Sequence, residues 1–224
     1  ALEDGQILIA GAVRTESDGA GTPTRYYNSA YMIDSQGQII AASDKVHLVP
    51  FGEYLPFEAF FNRIGLTAIA AFPGGYSAAP RYQHLTAPDG TRFLPLICYE
   101  VIFPAESAIE AEMADAIVNL TNDGWFGDTP GPWQHFHQAR IHAVETGLPV
   151  IRNSNSGVSA VIDGHGRVRT GLDFGAVGVI DEGIPPKVNR PFREFSRELY
   201  FWLLEFSLIL APIFTRLSFS FTRN

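Results

Sequence analysis

Residues 91–100 have the sequence TRFLPLICYE, and this stretch decides the fold that the chain predicts. The apolar run over Thr91–Ile97 has the length and composition of a short buried strand. It leads directly into the Cys-Tyr-Glu string at residues 98–100. Pro104–Ala114 then predicts a helix, with Pro104 suited to its first turn. In α/β folds, functional side chains lie where a buried strand ends and a helix follows.

Two more strands and one more helix are predicted after this stretch. Asp115–Thr121 is a second short apolar run, and it ends in the polar string Asn-Asp-Gly at residues 122–124. Gly131–Glu145 predicts a helix that Gly147 ends, and Leu148–Arg152 predicts a third buried strand. Strands that alternate with helices indicate an α/β fold, with helices on the faces of a sheet.

The rest of the chain up to residue 170 predicts strands, turns and one more helix. These elements are a strand over Gln6–Val13, a loop over Thr15–Thr24, hairpins over Tyr26–Ala42 and Gly157–Thr170, an ordered loop over Lys45–Pro56, and an amphipathic helix over Pro56–Ile69. Residues 32–39 and 161–168 share the pattern apolar-Ile-Asp-x-x-Gly-x-apolar. This echo either marks a repeated, two-layered core or is a chance match between two ordinary hairpin turns.

Composition excludes several classes of protein. Of the 224 residues, 46% are hydrophobic and 18% are charged, so the chain has ample material for a core and is not intrinsically disordered. The net charge of −8 argues against a nucleic-acid partner, since a phosphate backbone attracts basic surfaces. The single cysteine excludes an intrachain disulfide and a zinc site built on cysteines. The length favours one large domain with an appendage.

The C-terminal part of the chain differs in character. We expect a domain over residues 1–183, a linker rich in Pro and charge over 184–198, and a hydrophobic membrane helix over 199–221. The run 199–214 contains only Glu205 as a charge, and as a helix it is about 24 Å long, short of the ~30 Å of a hydrocarbon core. A core or oligomer-interface helix is the alternative. The aromatic cluster at residues 200–206 favours the membrane.

Cys98 is the candidate nucleophile. A lone cysteine after an apolar strand is most often a small core residue, but a strand end beside a cation stabilises the reactive thiolate. Lys45 is the candidate cation, because its loop is apolar and rigid, an unusual setting for a solvated charge. Either Glu53 or Glu100 could keep this ammonium charged and in position. A thiolate of this kind suits acyl transfer through a thioester.

Three segments together resemble the nitrilase (carbon–nitrogen hydrolase) superfamily, and more narrowly its membrane branch, the apolipoprotein N-acyltransferases. They are Lys45–Pro56 (KVHLVPFGEYLP), Leu96–Glu100 (LICYE) and Asn119–Phe126 (NLTNDGWF), and the resemblance covers roughly residues 6–182. It implies an αββα sandwich and a Glu–Lys–Cys triad. In that triad Cys98 is the nucleophile and Lys45 stabilises the tetrahedral oxyanion.

The resemblance also assigns supporting roles. Glu53 and Glu100 match carboxylates that support the site, and Tyr99 matches a residue beside the nucleophile. Trp125 is expected near the groove that binds the acyl chain. The general base of the family is a Glu in a Pro-Glu motif before the first strand, and Glu3 does not fit that motif. We therefore expect the base, like the N-terminal membrane helices of the family, to lie upstream of this chain, which alone would be inactive.

The resemblance implies a membrane-tethered acyltransferase. Cys98 would take an acyl chain from a phospholipid and pass it to the N-terminal amine of a diacylglyceryl-cysteine apolipoprotein. The catalytic domain would face the periplasm from the bacterial inner membrane, and no cofactor is expected. Two alternatives remain open. One is a soluble nitrilase-type amidase, which would not need the hydrophobic C-terminal segment. The other is a non-catalytic module that has lost its base.

A metal site is not expected. His135, His137 and His142 could suggest one, but on a helix His137 turns away from the other two, and no carboxylate completes a ligand set. Asn119-Leu120-Thr121 matches a glycosylation sequon, but it lies in a predicted buried strand and is taken as a chance match.

Overall fold

A computed structural model describes residues 2–56, 63, 75–189 and 199–210. The first sheet is antiparallel and consists of β1 (Leu8–Ser17), β2 (Pro23–Ile33) and β3 (Ile39–Asp44), in that order. The predicted hairpin between β2 and β3 is confirmed. The predicted helix over Pro56–Ile69 lies, apart from its first residue and residue 63, outside the described residues.

The second sheet has six strands in sequential order. They are β4 (Leu85–Thr86), β5 (Arg92–Ile97), β6 (Ala116–Thr121), β7 (Val150–Ser154), β8 (Ser159–Ile162) and β9 (Val168–Leu172). The three central strands β5, β6 and β7 are parallel, and the outer pairs are antiparallel. Helix α1 (Ala108–Met113) connects β5 to β6, and helix α2 (Gly131–Thr146) connects β6 to β7. The predicted strand–helix alternation is therefore confirmed.

Alternation along β5 places the second sheet between two apolar layers. Phe93 and Ile97 pack in one cluster with Met32 of the first sheet. Leu94 and Leu96 point to the opposite face and pack in a second cluster with the small residues of α2. Successive side chains of a strand face opposite sides, so an uninterrupted apolar run is what a sheet covered on both faces requires.

The largest errors in the predicted boundaries concern β1 and α1, and the predicted loop over Thr15–Thr24 is shorter because β1 runs to Ser17 and β2 begins at Pro23. Strand β1 continues to Ser17, because its polar end stays paired with β2 and the Thr24 hydroxyl donates to the Glu16 carbonyl. Helix α1 begins at Ala108 rather than at Pro104. The chain between β5 and α1 first forms a 3-10 helix over Cys98–Ile102 and then turns, in which the Glu106 N–H donates to the Phe103 carbonyl.

The echo between the two hairpins is a shared turn. In the first sheet the Asp34 carboxylate accepts hydrogen bonds from the backbone of the turn, and Gly37 has φ of 77°. In the second sheet Asp163 makes the equivalent bonds, and Gly166 has φ of 75°. Aspartate and a left-handed glycine are what this turn demands, so turn chemistry accounts for the common pattern.

The chain divides into two units, residues 1–188 and 189–224. In the second unit residues 199–210 are helical, and the rest of the predicted membrane helix over 199–221 lies outside the described residues. Within residues 2–56, 75–189 and 199–210, no helix combines the length and the apolar composition needed to cross a membrane.

Candidate active site

Cys98 occupies a strained turn at the carboxyl end of β5. It is the first residue of the 3-10 helix, its side chain is half-buried, and its φ is 54°. This left-handed conformation costs a residue with a Cβ about 1–2 kcal/mol. Such strain persists only where the surrounding structure enforces it, and it is concentrated at functional sites. A sharp turn after a buried strand also lifts a nucleophile out of the sheet.

The backbone carbonyl of Cys98 is held from the interior. Asn119 of β6 is fully buried, and its Nδ2 donates to the carbonyls of Leu96 at 2.8 Å and of Cys98 at 3.2 Å. The Nε2 atom of His135 in α2 lies 3.2 Å from the same Cys98 oxygen. Each such hydrogen bond contributes about 1 kcal/mol, so two of them offset the cost of the left-handed turn.

Lys45 is buried directly after β3, as its apolar loop predicted. Only 1% of its side chain is exposed, and Nζ donates to Glu53 Oε2 at 2.7 Å. The Glu53 carboxylate also accepts from the Val49 N–H at 2.8 Å and from Asn28 Nδ2 at 3.0 Å. The structure thus selects Glu53, of the two candidate carboxylates, as the hydrogen-bonded partner of Lys45.

Glu100 has a different role, because it joins the Lys45 loop to the Cys98 turn. One carboxylate oxygen accepts from the N–H groups of Val46 at 2.7 Å and His47 at 3.0 Å, and the other accepts from Ile97 at 2.7 Å. Burial raises the pKa of Glu100 to about 6, in opposition to these hydrogen bonds and to the Lys45 charge. At neutral pH the group is therefore an anion that holds both loops in place.

A buried polar network lies behind Cys98. Asp123 Oδ2 accepts from Arg152 Nη2 at 2.6 Å and from the Ser154 hydroxyl at 3.0 Å, while Oδ1 lies 2.8 Å from His135 Nδ1. Arg152 Nη1 donates to the side-chain oxygen of Asn119. Burial opposes ionisation of Asp123, but the His135 hydrogen bond and the Arg152 charge outweigh it and lower the pKa to about 2. The network therefore contains a permanent carboxylate.

Sequence reasoning missed this network, although two signals were present. Arg152 lies in a predicted buried strand, where a guanidinium requires an acidic partner. Asn119, the first residue of the sequon-like triplet, is buried in a strand as predicted. Its side chain also has a structural role, because it binds the carbonyls of Leu96 and Cys98 and accepts from Arg152. His135 and His142 share the buried face of α2 and His137 is exposed, as predicted. No group of three His, Cys, Asp or Glu within the described ranges could hold a metal ion.

Tyr99 and Trp125 are both exposed, and each closely follows a site residue in the chain. The ring of Tyr99 packs near those of His135, at a centroid distance of 5.7 Å, and Phe103, at 5.9 Å. Trp125 belongs to the 3-10 turn Asp123–Phe126 and is 77% exposed. It lies two residues after Asp123 in the chain, and its role in binding an acyl chain stays a prediction.

The charges around Cys98 suit a reactive thiol. The Arg152 guanidinium interacts electrostatically with Cys98, while burial lowers the Arg152 pKa. The Lys45 ammonium lies close enough to Glu100, two residues after Cys98, to affect its titration. A cation beside a nucleophilic thiol can stabilise the oxyanion that forms when the sulfur attacks a carbonyl, so Lys45 and Arg152 are the candidate groups for that role.

Comparison with known proteins agrees with this geometry. Residues 1–194 match the carbon-nitrogen hydrolase family model. Over 223 residues the chain is 56% identical to an apolipoprotein N-acyltransferase of Agrobacterium fabrum and 54% identical to one of Rhizobium etli. Each match covers 100% of this chain but 42% of the relative. The chain thus spans about two fifths of the length of these curated relatives.

Solved structures show the same fold at low sequence identity. A mutant of the amidase from Nesterenkonia sp. aligns with a TM-score of 0.52 and 21% identity, covering 76% of this chain and 58% of that chain. Saccharomyces cerevisiae Nit3, a member of the nitrilase superfamily, aligns with a TM-score of 0.54 and 22% identity, covering 75% and 56%. On the fold and the family match, the chain belongs to the carbon–nitrogen hydrolase family.

Proposed function

We propose that this chain is the thiol-bearing part of an apolipoprotein N-acyltransferase. It would move a fatty acyl chain from a phospholipid to the N-terminal amine of a diacylglyceryl-cysteine apolipoprotein. The observation that carries the proposal is the strained, half-buried Cys98: Glu100 ties its turn to the loop of the buried Lys45–Glu53 pair, and His135 ties it to the Asp123–Arg152 network. The names of the relatives give N-acylation of an apolipoprotein, and the phospholipid donor and diacylglyceryl-cysteine acceptor follow from the family resemblance.

The first half-reaction forms a thioester. The Cys98 thiol gives up its proton, and its sulfur attacks the ester carbonyl of the phospholipid. The tetrahedral oxyanion collapses, the C–O bond breaks, and the lysophospholipid leaves with a proton. In the family a Glu before the first strand accepts the thiol proton, and we assign that role to a residue outside the present chain.

The second half-reaction regenerates the thiol. The amine of the acceptor attacks the thioester, an amide bond forms, the C–S bond breaks, and the amine proton returns to the sulfur. Lys45 stabilises the oxyanion in both steps. An ammonium has three N–H donors, so Lys45 can hold Glu53 and an oxyanion at the same time.

A lipid substrate requires contact with a membrane, and we propose that residues 199–221 provide it. The large apolar and aromatic side chains of the helical part, 199–210, are 43–61% exposed. Its aromatic cluster suits the boundary between headgroups and acyl chains. The catalytic unit would then lie on the periplasmic face of the inner membrane.

A soluble amidase is the second candidate, because a fold relative supports it. The amidase from Nesterenkonia sp. is described with an acetamide moiety bound covalently at its active-site cysteine. Amidase and acyltransferase share acylation of the thiol and differ in the acceptor, which is water or an amine. A non-catalytic module is disfavoured by the strain at Cys98, since a fold without chemistry has no need to maintain it.

Mass spectrometry of a chimera tests these alternatives. The chain replaces the 223 matched residues of the Agrobacterium fabrum relative, and the purified chimera is mixed with phospholipid in detergent. We expect an acyl adduct on Cys98 that a diacylglyceryl-cysteine peptide removes as an N-acyl product. Cys98→Ala should give no adduct, and the 224-residue chain alone should give little. Loss of the adduct to water at the same rate without the peptide would favour an amidase, and no adduct would contradict both.

A further inference from the structure

The left-handed turn at Cys98 depends on contacts to its own carbonyl group. Asn119 Nδ2 and His135 Nε2 each lie 3.2 Å from this oxygen, one from β6 and the other from α2. Asn119 is shared, since it also binds the Leu96 carbonyl. His135 is therefore the group that contacts the nucleophile's carbonyl from the helix layer.

The orientation of the His135 ring is fixed from its other side. Nδ1 lies 2.8 Å from Asp123 Oδ1, and the low pKa of Asp123 means that this oxygen carries no hydrogen. Asp123 is in turn held by Arg152 and Ser154. Arg152 Nη2 also lies 3.3 Å from Nδ1, so two charged groups fix this side of the ring. Nε2 faces a carbonyl oxygen, which can only accept, so a hydrogen bond there requires the hydrogen to be on Nε2.

We propose that His135 is a positioning residue for the nucleophile: it donates from Nε2 to the Cys98 carbonyl and so holds the left-handed turn that presents Sγ. The inference rests on the proposed role of Cys98. The charged groups that face the ring are Asp123 and Arg152, with Arg152 Nη2 3.3 Å from Nδ1, and they neutralise each other. The rings of Tyr99 and Phe126 lie 5.7 Å from that of His135 and limit its rotation.

His142 provides a matched control on the same helix. It lies seven residues after His135 in α2 and is fully buried. Its Nδ1 lies 2.7 Å from the carbonyl of Val101, which belongs to the same 3-10 helix as Cys98. Both histidines therefore tie α2 to this short helix, His135 at the carbonyl of the nucleophile itself and His142 at the carbonyl of Val101.

Two substitutions at His135 separate positioning from folding. His135→Gln can place an amide donor where Nε2 lies, whereas His135→Asn is shorter and places its amide near Nδ1. The readout is the rate at which iodoacetamide alkylates Cys98, measured against pH, with the thermal midpoint recorded for each variant. We expect His135→Asn to slow alkylation about tenfold or more at every pH, since small misplacements of reacting groups cost up to about 10². His135→Gln should recover most of the rate.

The control decides between positioning and general loosening. His142→Asn should lower the thermal midpoint about as much as His135→Asn while leaving the alkylation rate within about twofold of wild type, because the Cys98 carbonyl keeps its donors. Equal slowing by His142→Asn, or a wild-type rate in His135→Asn, would overturn the inference. In the chimera, His135→Asn should lower kcat with KM little changed.

A measurement on the unmodified chain does not depend on whether the variants fold. Nitrogen-15 NMR of the histidine-labelled chain should show a hydrogen on His135 Nε2 at neutral pH, and a bare Nε2 would refute the proposal. The two levels of failure are distinct. If Cys98 of the wild type alkylates no faster than an unfolded thiol, the nucleophile assignment fails. If Cys98 is reactive and insensitive to His135→Asn, only the positioning role fails.

Discussion

Replacing Glu100 by Gln should make the stability difference from wild type depend on pH. Burial raises the pKa of Glu100 from 4.5 to about 6 in the folded chain. Between these two values the folded chain retains a proton that the unfolded chain has lost, so wild-type stability falls as the pH rises through this window. The two values differ by about 1.5, which corresponds to about 2 kcal/mol.

The hydrogen bonds of Glu100 set the stability of the variant at each end of the window. Gln keeps one oxygen for the Val46 and His47 N–H groups but turns its amide against the Ile97 N–H, a mismatch that costs about 1–3 kcal/mol. At pH 7 the neutral side chain also avoids the cost of a buried charge. At pH 7 we therefore expect the free energy of unfolding of Glu100→Gln to be close to that of wild type. At pH 4 it should be about 2 kcal/mol lower than that of wild type.

Denaturant unfolding followed by tryptophan fluorescence measures this difference at a series of pH values between 4 and 7.5. Glu182→Gln is the control, since Glu182 is exposed in the same unit and its variant should track wild type throughout. If the curves of wild type and Glu100→Gln run parallel across the window, the buried carboxylate is not the titrating group and the reasoning is refuted.

Three other perturbations test the rest of the site. Lys45→Met leaves the Glu53 carboxylate buried without its cation, so the free energy of unfolding should fall by about 3–5 kcal/mol. A double-mutant cycle with Glu53→Gln should show that the two effects are not additive. Additive effects would mean that the two side chains do not interact. The pKa of Asp123 is lowered from 3.8 to about 2 in the folded chain. As the pH falls through this range, the free energy of unfolding of wild type should therefore decrease by about 2 kcal/mol more than that of Asp123→Asn. The same pH dependence in both proteins would contradict this. A Cβ at Gly157 would overlap the Asp123 carboxylate, so Gly157→Ala should lower the free energy of unfolding, measured with denaturant, by more than about 3 kcal/mol. Gly19 lies in open space, so Gly19→Ala should change it little. Similar values for the two variants would argue against this packing.

The sequence predicted those parts of the molecule that depend on local pattern. Strand β5, the helix over α2 and its end at Gly147 follow from runs of apolar residues and a left-handed glycine, and all three are confirmed. The burial of Lys45 was also predicted, because rigid and apolar neighbours leave a cation little access to water. These signals lie within about fifteen residues of the feature that they predict.

The network behind Cys98 could not be predicted in this way, because its members come from separate elements. Asp123 follows β6, His135 lies in α2, and Arg152 lies in β7. Asp123 and His135 taken singly have ordinary explanations as a turn and a helix residue, and Arg152 in a buried strand signals only that an acidic partner exists, not which one. Their common role appears only when the parallel order of β6 and β7 brings the strand ends together. The start of α1 was misplaced for a related reason, since contacts from α2 and β6 support the strained turn that displaces it.

The site is therefore assembled across both sheets. Lys45 and Glu53 follow the last strand of the first sheet, whereas Cys98 and its supports belong to the second sheet and its helix. Glu100 connects the two, because one carboxylate binds the backbone on both sides of that division. Burial of the Glu100 charge costs free energy at neutral pH, but only a carboxylate can accept hydrogen bonds from all three N–H groups with both of its oxygens. We therefore expect that loosening this contact uncouples the Lys45 loop from the Cys98 turn before either sheet unfolds, so reactivity of Cys98 should be lost ahead of secondary structure.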